Sequence, residues 1–477
     1  MEKYKIYVGG KFTETSTPHE VINPFTQEVF ANTYLGGKEE LESAIIKAEL
    51  VADEMKNLPS YRRFEILSQI SNEITKDRER LALVLTKESG KPLRYSLGEI
   101  DRASQTFLVA AEESKRLPKE YISLDWTKPG ENKEGIIKYF PIGLVAGISP
   151  FNFPINLAVH KIAPAIAAGC PIILKPASAT PLSTLELAKI IDATSLPKGA
   201  VSVIPMNRKD GEMLVTDERF KLLSFTGSPT VGWEMKKKAG KKNVLLELGG
   251  NAGVIVSKSA DITDAVKKCL VSGFAYSGQI CIHAQRLFIQ EDIFDPFLEK
   301  FIEGVKKLKY GDPENITTDI SVMIDEENAK RVEDWVNESV KKGAKNLIGG
   351  KRNGVYYEPT VLTNTNNNMK VCSEEIFGPV VTVEKFSSFE QAVQMINDTS
   401  FGLQAGVFTN NINESHYAFN NIQVGGLMIN DAPTLRLDHM PYGGIKNSGL
   451  GREGVKYAIQ EMMEPRILIT TFSGEKK

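Results

Sequence analysis

Cysteine is scarce in this 477-residue chain: Cys170, Cys269, Cys281 and Cys372 stand far apart and form no CxxC pair. That spacing argues against a disulfide framework or a zinc site, so no metal is expected, and a reducing, cytoplasmic setting fits. An excess of one charge is also lacking. Lys and Arg number 58 against 60 Asp and Glu, a formal net charge of −2, which points away from a nucleic-acid or polyanion partner. Long apolar runs are missing as well. The longest, 162–174, is interrupted by Pro164, Gly169 and Pro171, and is too short to cross a membrane. The opening MEKYKIYVGGKF has no apolar signal core. Neither internal repeats nor low-complexity segments occur. What is there, 42% hydrophobic and 25% charged residues, describes a globular protein with chain enough for roughly three domains.

The stretch YKIYVGGKF alternates and predicts a hairpin, and amphipathic patterns predict helices over 38–55 and 61–89. Residues 116–134 are polar, carry proline and show no helical period. They read as a linker or as a hairpin arm that pairs with another subunit. From Gly135 onward, short apolar runs at 144–148, 172–174, 201–204, 222–225, 244–247 and 254–256 alternate with helical stretches at 157–168, 182–193, 211–216 and 230–239. This alternation predicts a parallel sheet covered on both faces, an α/β doubly wound fold. Ligands in such folds bind beyond the carboxyl ends of the strands, so chemistry is expected in the turns that follow them. After Asn251 a second α/β unit begins, with helices near 292–308 and 326–342, and it closes around 424–430. The stretch 466–472 alternates and reads as a strand pairing with the polar arm.

Chemistry concentrates in a few turns. In FAYSGQICIHAQR, residues 274–286, Cys281 follows a predicted helix over 262–276 that ends at a Ser-Gly pair. A tight turn there aims backbone N–H groups at the sulfur and favours the thiolate, although a cysteine can equally be a small core residue. SPFNFP presents Asn152 at a strand end, as an oxyanion donor or as a helix cap. LKPAS places Lys175 near ribose hydroxyls or a phosphate, or simply in solvent. FTGS lets a pyrophosphate approach a helix N-terminus at Gly227 and Ser228, without a GxGxxG fingerprint. LELGGN puts Glu247 in an apolar strand end, where burial would raise its pKa and suit it as a general base; pairing with a basic residue is the alternative. SEEIFGPV holds Glu375 and Phe377 in a turn, and PYGGIKNSGLGREG is dense enough in glycine to be an ordered loop.

Taken together, SPFNFP, LKPAS, FTGS, LELGG, SGQIC, EEIFGP and PYGGIKNSGLGREG resemble, in order, the motifs of the aldehyde dehydrogenase superfamily over nearly the whole chain. The tail NDAPTLRLDHMPYGGIKNSGLGREG is most similar to the branch acting on lactaldehyde, glyceraldehyde, glyceraldehyde-3-phosphate, phosphonoacetaldehyde and succinate semialdehyde. The resemblance implies a Rossmann-type cofactor domain (1–117 and 136–246), an α/β catalytic domain (247–430), a small β oligomerisation arm (118–135 and 460–477) and a return loop and helix (431–459). It further implies an NAD- or NADP-dependent oxidation of a small polar aldehyde to its carboxylate by a homodimer or homotetramer. Cys281 would be the nucleophile, Asn152 and the Cys281 N–H the oxyanion donors, and Glu247 the base that activates water. The cofactor would lie along Ser149, Pro150, Phe151, Lys175, Ala177, Ser178, Arg208, Gly211, Phe225, Thr226, Gly227, Ser228, Leu248, Gly249, Glu375 and Phe377. Lys175 would serve the adenosine ribose and Glu375 the nicotinamide ribose.

Several positions depart from the family pattern. Ser178 stands where NAD-preferring members carry a glutamate, which removes a repulsion against a 2′-phosphate and leads to the expectation that NADP is accepted. Arg208 or Lys209 in PMNRKDG either reaches that phosphate or is a surface charge. Tyr276 replaces a common asparagine. His160 replaces the arginine of succinate semialdehyde members, and His160, Arg436 and His439 are read as meeting the substrate, against a satisfied core histidine for His160 and a loop salt bridge for Arg436; His283 reads as a residue that packs or bonds locally. Two other readings stand beside the leading one: a coenzyme A-acylating enzyme, and a non-catalytic protein that keeps the fold.

Overall fold

The apolar runs become strands because turn residues bound them and both faces are buried. The computed structural model describes residues 2–472. Five strands pair in parallel in the spatial order Asn243–Glu247, Leu222–Thr226, Val145–Ile148, Ile172–Lys175 and Val201–Val203. Gly449–Leu450 closes one edge antiparallel, and the predicted hairpin, Ile6–Val8 with Lys11–Thr13, closes the other. Side chains alternate between the faces as the pleat requires. Val145, Ile172 and Leu174 pack with helices Ser60–Lys76, Pro154–Ala168 and Leu182–Asp192. Ala146, Ile173 and Leu223 pack with Lys38–Leu50 and Arg208–Thr216. After the edge hairpin, the chain enters the parallel strands at the middle one, runs to one side, then returns to the other. A topological switch point therefore lies between Val145–Ile148 and Leu222–Thr226.

A second sheet orders Thr360–Thr363, Val380–Phe386, Ala284–Gln290, Ala252–Val256, Gln404–Phe408 and Gly426–Ile429 in parallel, with Lys345–Ile348 antiparallel at the edge. A third is antiparallel throughout: Lys119–Ser123, Lys133–Pro141 and Met463–Thr471. The polar stretch is thus an arm rather than a linker, and the tail strand pairs with it. Residues 473–477, expected to end that arm, and Met1 lie outside the described residues.

The amino-terminal helices differ from expectation. The pattern over 38–55 breaks at Val51, and that over 61–89 breaks at Asp77. The long helix Leu93–Ser114 has no counterpart in the sequence reading. Its buried stripe is Ser96, Glu99, Ile100, Ala103, Phe107 and Ala110, and the small and polar members of that stripe disguise the period. The helix expected over 262–276 stops at Phe274.

Candidate active site

A cleft of about 760 Å³ opens at the switch point. Pro150, Phe151 and Asn152 line it after the middle strand, Thr226, Gly227 and Ser228 after its neighbour, and Glu247, Leu248 and Gly249 after the next. The second sheet meets the cleft the other way round. Cys281 precedes the strand Ala284–Gln290, and Glu375 and Phe377 precede Val380–Phe386. The rule that chemistry follows the strands holds for the first sheet and fails for the second.

The nucleophile turn is strained and heavily anchored. Tyr276 and Ser277 sit in the left-handed region at φ 49° and 53°, a conformation that persists only where the surroundings over-determine it. The Tyr276 hydroxyl donates to Ser89 O at 3.2 Å, Ser277 Oγ to Ser321 O at 2.9 Å, and Ile324 N to Gln279 Oε1 at 3.0 Å. From the opposite side, Gly250 presses so close that a Cβ there would stand 2.3 Å from the Cys281 carbonyl oxygen. Asn152, 3% exposed, donates from Nδ2 to Gln279 O at 3.0 Å. Cys281 Sγ lies 3.2 Å from the Tyr442 hydroxyl. Burial pushes the thiol up to about 11, with the Tyr442 hydrogen bond opposing. Burial thus opposes the thiolate expected from the turn, while the Tyr442 hydrogen bond and the Arg436 charge favour it.

Glu247 is 3% exposed, and neither carboxyl oxygen has a partner among the described residues. Burial raises its pKa well above the carboxylate range, the nearby Glu453 charge raises it further, and Arg436, Lys161 and Arg452 oppose. Behind it runs a buried ionic chain. Lys161 Nζ lies 3.0 Å from Glu453 Oε1 and donates to Thr226 Oγ1 at 2.7 Å, while Arg436 Nη2 lies 3.0 Å from Glu453 Oε2. The Arg436 guanidinium also stacks 3.7 Å from the centroid of the Tyr442 ring.

Glu375 Oε1 accepts from Gly250 N at 3.1 Å, and enclosure raises this carboxyl to about 7. Phe377 meets Phe151 edge-on at 5.9 Å. Ser228 opens the helix Pro229–Lys238 without capping it through its side chain, so that N-terminus faces the cleft. Phe225 lies buried under Gly227, and Ser149 is buried with its hydroxyl unpartnered among the described residues. A second cluster forms beyond Ile172–Lys175. Burial, then the Arg208 charge, lower Lys175 to about 8; its stem packs on Gly211, and Ser178 Oγ donates to Met206 O at 3.2 Å. Ala177 is half-buried beside them.

The three residues considered for substrate do not line the cleft. His160 is buried, with Nε2 2.9 Å from Asp438 Oδ1, which also takes Arg102 Nη2 at 2.7 Å. Arg436 belongs to the ionic chain, and His439 is exposed. His283 donates to Gly273 O at 2.8 Å. Sequence reasoning missed Asn328, Arg331 and Trp335, which line the cleft from the helix Glu326–Lys341. Arg331 stacks 5.0 Å from Trp335. It missed Tyr442 too, within a motif quoted only for its glycines.

Fold and cleft together define an α/β protein of two mainly parallel sheets, with a cysteine and a buried carboxylate facing a switch-point crevice. The chain belongs to the aldehyde dehydrogenase family, whose model matches residues 12–468. A 3-sulfolactaldehyde dehydrogenase of Priestia megaterium is 41% identical over 471 residues, 98% of each chain. Aldehyde dehydrogenase 21 of Physcomitrella patens, solved with the reaction product succinate, shares 45% identity and a TM-score of 0.98 over 99% of both chains. Glyceraldehyde-3-phosphate dehydrogenase GapN of Methanocaldococcus jannaschii, complexed with NADP, shares 38% identity and a TM-score of 0.91 over 95% of this chain and 99% of its own. No helix among the described residues is long and apolar enough to cross a membrane.

Proposed function

We propose that the protein oxidises a small hydroxy- or anionic aldehyde to its carboxylate with NAD(P), without coenzyme A. The convergence of Cys281, Asn152 and unpaired Glu247 on one cleft carries this reading. The residues fit a dinucleotide. The half-buried Glu375 carboxylate suits the nicotinamide ribose, the uncapped helix at Ser228 the pyrophosphate, and Lys175 the adenosine ribose. Ser178 brings no negative charge beside Lys175 and Arg208, so a 2′-phosphate is welcome and NADP is the favoured form. The relatives' names carry sulfonate, carboxylate and phosphate groups, which supports an anionic or hydroxylated substrate.

In this mechanism the Cys281 thiol releases its proton to solvent and the resulting thiolate attacks the aldehyde carbon. The carbonyl oxygen becomes an oxyanion received by Asn152 Nδ2 and the Cys281 N–H. When bound, NAD(P) supplies the acceptor for the aldehyde hydride. The acyl group is left as a thioester on Cys281. Glu247 then takes a proton from water, which attacks the acyl carbon and expels the sulfur. An acylating enzyme has no use for that base, so Glu247 favours the hydrolytic outcome. Self-association into a dimer or tetramer through the arm is supported by Leu468, 62% exposed, and Trp126, 89% exposed. Four free cysteines suit a reducing compartment.

The test is reduced-cofactor absorbance with lactaldehyde, glyceraldehyde, glyceraldehyde-3-phosphate, 3-sulfolactaldehyde, succinate semialdehyde and phosphonoacetaldehyde. Each is run with NAD and NADP. Turnover of one of them without coenzyme A supports the reading, and turnover only with coenzyme A replaces it. Cys281→Ala should abolish oxidation and keep cofactor binding.

A further inference from the structure

The Tyr442 phenol has no assigned task, yet its oxygen lies 3.2 Å from Cys281 Sγ and it is 3% exposed. Three contacts fix it there. Tyr442 N donates to Glu453 O at 3.0 Å, and Glu453 N donates back to Tyr442 O at 2.6 Å. The Glu453 carboxylate in turn holds Arg436 against the phenol ring at 3.7 Å from its centroid. A cation on the ring face draws electron density from the π system and makes the O–H a stronger donor. We propose that Tyr442 is a catalytic residue whose hydroxyl donates a hydrogen bond to the Cys281 sulfur and stabilises its thiolate, with Arg436 as the positioning residue that strengthens the donor.

The proposal rests on Cys281 being the nucleophile. The phenol keeps its proton throughout: burial raises its titration well above the ordinary tyrosine range, so a donor remains at every working pH. The sulfur needs such a donor. Burial holds it as a thiol, Glu375 and Glu247 face it and push it further up, and Tyr442 and Arg436 pull it down. A hydrogen bond to the charged form lowers a pKa by favouring that form.

The experiment is the pH dependence of Cys281 alkylation by iodoacetamide in the full chain, read by peptide mass spectrometry, for wild type and Tyr442→Phe. Loss of the bond should move the midpoint up by about one pH unit. The thiolate fraction at neutral pH then falls about tenfold and its intrinsic nucleophilicity rises about threefold, so alkylation slows by about threefold. The wild-type curve should bend near pH 11, and the variant should rise log-linearly through that point. The same bend with a uniform offset means a steric effect only and overturns the proposal. If Tyr442→Phe does not fold, 3,5-difluorotyrosine installed at position 442 by codon suppression replaces it. Its more acidic phenol should shift the midpoint down, and an unmoved midpoint overturns the proposal. Alkylation is independent of turnover, so this test stands apart from the Cys281→Ala assay: oxidation surviving in Cys281→Ala would overturn the nucleophile reading alone.

Discussion

Lys161 Nζ lies 3.0 Å from Glu453 Oε1, and neither side chain reaches solvent. Breaking such a pair strands a buried charge, so Lys161→Met should cost about 3 kcal/mol in denaturant unfolding. Burial resists the Glu453 charge, but Lys161 and Arg436 together hold its carboxyl low. The folded state therefore stays ionised where the unfolded chain binds a proton. The resulting stability is complete above about pH 4.3 and is lost as the pH falls toward 2. In Lys161→Met the loss should be smaller and should end at a higher pH, because the folded carboxyl is held less low.

Glu247→Gln should leave the first half-reaction intact and stall the second. Stopped-flow absorbance should show one burst of reduced cofactor per site, followed by steady turnover about 100- to 10,000-fold below wild type. In the wild type only the ionised carboxylate can take the water proton. Burial and the Glu453 charge raise its pKa, so steady turnover should climb with pH above the ordinary carboxylate range. A flat profile there would remove Glu247 from the role of base.

Ser178→Glu should reverse the cofactor choice. A carboxylate beside Lys175 repels a 2′-phosphate and accepts from ribose hydroxyls, so the NADP-to-NAD ratio of kcat/KM should fall about 100-fold. Arg208→Ala should lower kcat/KM with NADP by about tenfold and leave NAD unchanged. Equal losses with both cofactors would place Arg208 away from the phosphate.

Gly250→Ala puts a methyl group 2.3 Å from the Cys281 carbonyl oxygen. Relief requires the nucleophile turn to shift, at about 1–3 kcal/mol of stability. A displacement near 1 Å should cost about 100-fold in kcat. Thermal unfolding and steady-state rates measure the two separately.

Much of the first sheet was legible because its strands are apolar on both faces and bounded by turn residues, and its motifs lie where the chain leaves it. The second sheet offered Cys281 and Glu375 as motifs, but not the fact that they precede their strands, since direction relative to a partner sheet leaves no local mark. Tyr276 and Ser277 read as the end of a helix because left-handed φ values in such residues are imposed by distant anchors, here Ser89 and Ser321. Arg331 and Trp335 sat on a correctly read helix, yet which face meets the cleft is a tertiary matter. The same holds for Arg436: its spacing from Cys281 says nothing of the tyrosine ring between them.

The close approach of Gly250 to Cys281 has a consequence for how the molecule comes into being. Asn152 and Glu247 belong to one sheet, Cys281 to another, and Tyr442 to the loop that returns between them. Contacts so distant along the chain form late, because the loops they close are entropically costly. A half-folded molecule can own the first sheet's side of the dinucleotide site, at Lys175 and Ser228, before Cys281 faces Glu247 across the cleft. Refolding should therefore recover cofactor fluorescence ahead of aldehyde oxidation.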